Sequence, residues 1–176
     1  MSLIDLIPVI LAGSAGLAAG GLVPTSGEKL MAYKVKKQMK KFVVYGFCGW
    51  TQWLYPVGVG ASWMAAALEA SVLKALFFMI ISYVMFIVTY LDNRYRIIPN
   101  EITFAVLLSG LGYGLAAKGL SGLGGAAAGA TAGFIICLLA AALTKGKNAV
   151  GAGDVKMLAA CCCLGGVPGF MDVLLY

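Results

Sequence analysis

Two aspartates stand where apolar sequence meets polar sequence. Asp154 follows two glycines in Gly151-Ala152-Gly153-Asp154-Val155-Lys156 and opens one apolar segment. Asp92 closes another and begins the run Asp92-Asn93-Arg94-Tyr95-Arg96-Ile97-Ile98-Pro99-Asn100. Carboxylates at membrane depth are costly and usually face a bundle interior or an aqueous cavity. Two of them in one site cannot both ionise freely, so such a pair tends to share a proton. One member can then take a proton from water as the water attacks a peptide carbonyl. The other, protonated, can donate to the carbonyl oxygen and later to the leaving amine. This chemistry needs no metal and no cofactor. It also needs no histidine, and the chain has none, which excludes His-based triads and His metal sites.

The flanking residues suit that use. Gly151 and Gly153 lack a Cβ, so the chain before Asp154 can turn tightly or approach a substrate backbone closely. Pro99 fixes its own φ and biases Ile98 away from helix, which helps end the polar loop, Asp92 to Glu101, before the next apolar segment. Lys156 and Arg94 are read first as headgroup anchors and second as groups that tune the acids. Each feature also has a bland explanation. An Asp at a helix end is often a cap, and glycine-rich loops are common in membrane proteins. The five cysteines, Cys48, Cys137 and Cys161-Cys162-Cys163, show no C-x-x-C spacing and read as small apolar fillers.

The elements that must carry the acids are membrane spans. The chain is 61% hydrophobic and 11% charged, with a mean hydropathy of +0.94. Soluble domains carry about twice that charge fraction. The hydropathy pattern gives an all-α polytopic membrane protein in one domain of 176 residues. Its spans are expected at about 3–23, 42–60, 72–91, 102–117, 122–143 and 155–176. The first segment has no basic residue before it and many after it, the layout of a retained span rather than a cleaved signal. The last is interrupted at Gly165-Gly166-Val167-Pro168-Gly169. The chain closes on Leu174-Leu175-Tyr176 with no polar tail, which suggests that the natural protein continues.

Residues 24–41 form the longest polar stretch. They hold six lysines against a single acid, Glu28, and are expected as a cytoplasmic loop or a short helix on anionic headgroups. Residues 61–71, with Glu69, read as a short external connection or as an extension of either neighbouring helix. With 24–41 inside, Lys74 and Lys118 alone among the thirteen basic residues fall at outside ends, as positive-inside bias requires. Asp92 and Asp154 then share the cytoplasmic side, a result that the segmentation did not demand.

In combination the two motifs resemble the type IV prepilin peptidase and preflagellin peptidase family, membrane aspartic proteases of the GxGD type. Asp92 with Arg96-Ile97-Ile98-Pro99-Asn100 and Ile102-Thr103 carries half of the resemblance, and Gly151 to Lys156 the other half. The clear part runs from about Val72 to Gly166. It implies that Asp92 and Asp154 are the catalytic acids, with Gly151, Gly153, Lys156, Pro99 and Asn100 shaping the site. It also implies removal of a short basic leader from prepilin, pseudopilin or preflagellin precursors at the cytoplasmic face of a prokaryotic inner membrane. Larger members of the family carry an extra cytoplasmic domain, often with two Cys pairs for zinc, linked to N-methylation. The stretch 24–41 is short and has no Cys, which argues against both the zinc site and methyltransferase activity.

Two other classes use the same residues. A small proton- or cation-coupled transporter or channel would place its acids near the membrane midplane beside broken helices, whereas both acids here fall at expected helix ends. A non-catalytic assembly protein would tolerate loss of either carboxylate.

Overall fold

The structure, a computed structural model, describes residues 3–38, 44, 53–69, 71–143 and 152–175. Everything in it that is regular is helix. Six helices follow in order: α1 (Leu3–Gly21), α2 (Val23–Gln38), α3 (Leu54–Ala67), α4 (Val72–Tyr95), α5 (Asn100–Leu143) and α6 (Ala152–Leu175). They form two compact units, Met1–Ile97 and Ile98–Tyr176.

In the first unit, glycines let α1 and α3 touch backbone to backbone. A Cβ at Gly16 would lie 2.9 Å from Gly60 Cα, and one at Gly20 would lie 2.5 Å from Pro56 Cα. Only small residues permit such an approach in an apolar bundle. α3 and α4 are joined by Trp63, whose indole N–H donates to the Met79 carbonyl at 2.9 Å. α3 runs on to Ala67 rather than stopping at Gly60. Gly58 and Gly60 do not end the helix because they serve its packing, against Phe86 and Leu17 respectively. The first part of the 42–60 segment lies largely outside the described residues.

The basic stretch 24–41 was expected as a loop or short helix; most of it is the helix α2, set at 40° to α1. Val23 and Met31 are buried, so α2 is held by one apolar face despite its lysines. Lys34 is buried as well, in keeping with a long apolar stem laid along the protein.

In the second unit, α5 is two antiparallel arms. Gly119 adopts φ 63°, ψ −146°, a conformation essentially restricted to glycine. A Cβ on Gly122 would collide with the Gly114 carbonyl, although eight residues of straight helix would separate the two by about 12 Å. The arms, 100–118 and 120–143, correspond to the two spans expected on either side of Lys118. α6 packs along them. Cys162 and Cys163 are buried, with Cys162 against Gly129 and Gly133 and Cys163 against Gly110. The Cys163 thiol donates to the Leu107 carbonyl at 3.6 Å. These cysteines are fillers in glycine-lined seams. α6 breaks at Gly166, φ 64°, inside the expected interruption.

Large apolar side chains cover the outside of each unit, among them Leu76 and Ile80 in the first and Phe104, Leu108, Leu138 and Leu139 in the second. Among the described residues, two helices are long and apolar enough to cross a membrane, or three if the bent pair α1–α2 counts as one crossing.

Candidate active site

Asp92 lies in the last turn of α4 and is half-buried. The polar run was expected to be loop from Asp92 onward, yet the helix continues to Tyr95. It continues because the residues after Asp92 find partners. The Asn93 side chain hydrogen-bonds Tyr55 of α3. Arg94 Nη2 pairs with Glu28 Oε1 of α2 at 3.3 Å, and its guanidinium lies 5.9 Å from the Tyr90 ring centre and 6.0 Å from that of Tyr95. Arg94 is thus held against α2 and the two rings. The helix ends where Arg96 takes a left-handed conformation, φ 54°, ψ 36°, and donates its N–H to the Asp92 carbonyl at 2.8 Å. That conformation costs a non-glycine residue about 1 kcal/mol. It turns the chain out of the helix toward Ile97.

Asp154 is exposed in the first turn of α6, where the helix dipole favours a carboxylate. Around it the second unit gathers most of the other residues singled out from sequence. Pro99 is buried, and its carbonyl accepts the N–H groups of Ile102 and Thr103, starting α5. Thr103 Oγ1 meets Met157 Sδ at 3.9 Å, setting the first turns of α5 and α6 side by side. Asn100 and Lys156 share a groove of about 600 Å³ with Phe104, Phe134 and Ala160.

Gly153 sits within the helix, and Gly119 and Gly166 are the described glycines with positive φ, so it makes no tight turn. A Cβ there would only reach ordinary contact with Ile98, at 3.5 Å. Packing inside this unit therefore does not call for glycine at 153. Gly151 lies outside the described residues, as do Cys48, Lys145 and Lys147. No group of three or more Asp, Glu or Cys residues able to hold a metal occurs among the described residues.

Sequence reasoning missed the residues that hold the Asp92 turn: Glu28, Tyr90 and Tyr55. The one available signal was that Glu28 is the sole acid among the lysines of its stretch.

Helical units with apolar exteriors, carrying one carboxylate at the end of α4 and one at the start of α6, define a helical membrane protein with acidic groups at helix termini. A family model described as the type IV leader peptidase family matches residues 79–176, more than half of the chain and both aspartates. The chain belongs to the type IV leader peptidase family and is an aspartic peptidase of the prepilin peptidase type. Comparisons with curated proteins and with solved structures found no match.

Proposed function

We propose that this peptidase removes the short leader from type IV prepilin-like or preflagellin-like precursors at the cytoplasmic face of the membrane, with Asp92 and Asp154 as its catalytic pair. The observation that carries the reading is the family match across both acids. Chain connectivity allows it: Ile98 opens the second unit only six residues after Asp92, and that stretch spans at most about 20 Å.

In this reading one carboxylate accepts a proton from the attacking water and the other donates to the carbonyl oxygen. The tetrahedral intermediate then breaks its C–N bond as the leaving amine is protonated. Gly151 and Gly153 leave room for the scissile backbone, while Pro99 and Asn100 set the start of α5 beside it. Lys156 stands at the rim of the groove. The family match weighs against a transporter.

The membrane topology that goes with this function is six crossings in a single membrane domain. They are α1, the segment ending in α3, α4, the two arms of α5, and α6. The test is co-expression with candidate precursors. Wild-type enzyme should shorten the precursor by its leader, seen as a gel shift and as a new N-terminus by mass spectrometry, and Asp154→Ala should leave it intact. An unshortened precursor across a panel of prepilin-like and preflagellin-like substrates would overturn the substrate assignment.

Orientation has its own test. In a background without native cysteines, single cysteines at positions 92 and 154 should react with an impermeant maleimide only when it is supplied from the cytoplasmic side. Labelling of the two positions from opposite sides is incompatible with a shared site.

A further inference from the structure

Glu28 connects two residues of the turn that carries Asp92. Its Oε1 accepts a hydrogen bond from the Tyr90 hydroxyl at 3.0 Å and pairs with Arg94 Nη2 at 3.3 Å. Tyr90 and Arg94 are four residues apart, so they share a face of α4. Asp92 lies midway between them in sequence. At about 100° per residue it points roughly 180° away from that face. One carboxylate oxygen thus grips the back of the turn and leaves Asp92 directed away from α2.

Neighbouring contacts reinforce the grip. A Cβ on Gly27 would come within 2.5 Å of the Tyr90 ring, so glycine is what lets α2 lie this close. The Ser26 and Tyr83 hydroxyls are 2.9 Å apart, tying α2 to α4 nearer the middle of α4. On the α3 side, Tyr55 meets the Tyr90 ring edge-on at 5.7 Å and hydrogen-bonds Asn93. The turn needs such support because it is the last of its helix, where carbonyls lack partners in the helix and ends fray.

We propose that Glu28 is a positioning residue, clamping α2 to the face of α4 opposite Asp92 and so fixing the direction of that carboxylate. The inference rests on the reading of Asp92 as a catalytic acid. An acid–base group displaced by about an ångström loses much of its effect, whereas substrate affinity depends little on that displacement. A partly exposed ion pair that served only to hold α2 in place would contribute little stability and leave turnover unchanged.

Steady-state cleavage by the full-length enzyme in membranes separates these cases. Glu28→Ala should lower kcat about tenfold with KM and membrane insertion close to wild type. Glu28→Gln keeps an acceptor for Tyr90 and should fall between Glu28→Ala and wild type. Glu28→Arg and Arg94→Glu should each be impaired, and the two together should recover activity above either alone. Wild-type kcat in Glu28→Ala, a rise in KM alone, or a charge swap no better than its single variants would overturn the clamp. Asp92→Asn in the same assay isolates the underlying reading. Activity in that variant defeats the catalytic assignment, while an inactive Asp92→Asn beside a fully active Glu28→Ala defeats the clamp alone.

Discussion

Asp92→Asn and Asp154→Asn enzymes should reach the membrane in normal amounts and cleave precursor about 10²- to 10⁴-fold more slowly than wild type. Both substitutions conserve shape and remove only the titrating oxygen. At Asp154 the side chain is exposed in the first turn of α6, where losing the carboxylate's interaction with the helix dipole costs only about 0.3–1 kcal/mol, so folding should barely change. At Asp92 the carbonyl that holds the Arg96 cap belongs to the backbone and survives the change. A positioned acid or base is worth about 10² to 10⁴ in rate, and asparagine can neither accept the proton from water nor return it. The two acids would act as one proton-sharing unit, so their losses should not multiply. The double variant should be about as slow as the slower single variant. Single-turnover rates on one precursor measure all three. Substantial cleavage by either single variant would remove that residue from the chemistry, and fully multiplicative losses would mean that the acids work independently.

How far the fold could be read in advance depended on whether local pattern or tertiary contact decided each element. α4, the two arms of α5 and the break in α6 follow from apolar runs and from glycines, and Gly119 and Gly166 turned the chain inside the expected interruptions. α2 was harder to foresee because its composition is that of a solvated loop. What makes it a helix with a buried face is Val23, Gly27 and Met31 against the rest of its unit, and no local signal reports that. The end of α3 was open in the sequence, because 61–71 suits a connection or a helix extension; Gly58 and Gly60 act as packing surface and the helix runs on to Ala67. The surroundings of Asp154 were legible because α5 and α6 begin with the motif residues themselves. Those of Asp92 were legible only along α4. The acid that grips its turn is 62 positions from Tyr90 in sequence, and such a pair becomes visible only once the chain has folded. The partner of Arg94 was hidden for the same reason, since Glu28 lies far from it in the sequence.

The largest stability effect is expected at the bend of α5. Gly122→Ala should destabilise the protein by about 3 kcal/mol, and Gly124→Ala should be neutral or slightly stabilising. Both residues are in the same helical arm and both exchanges add one methyl group. Helix propensity favours alanine over glycine by up to about 1 kcal/mol at either site, so only surroundings can separate the two. At Gly124 a Cβ would meet nothing within 4 Å. At Gly122 it would land on the Gly114 carbonyl and within 2.8 Å of Lys118 Cβ. The Gly114 carbonyl is part of the opposing arm and cannot rotate aside as a side chain would. The arms would have to separate, and α6 is packed along both of them. Pro99 and Asn100, at the start of the first arm, lie beside the first turn of α6, so a wider hairpin disturbs the surroundings of Asp154 as well. Unfolding midpoints in detergent, read beside cleavage rates, should therefore fall together for Gly122→Ala and hold together for Gly124→Ala. Equal midpoints for the two variants would show that the arms do not close on each other at Gly114 and Gly122. A Gly122→Ala enzyme that is destabilised but fully active would show that the setting of α6 does not depend on the hairpin.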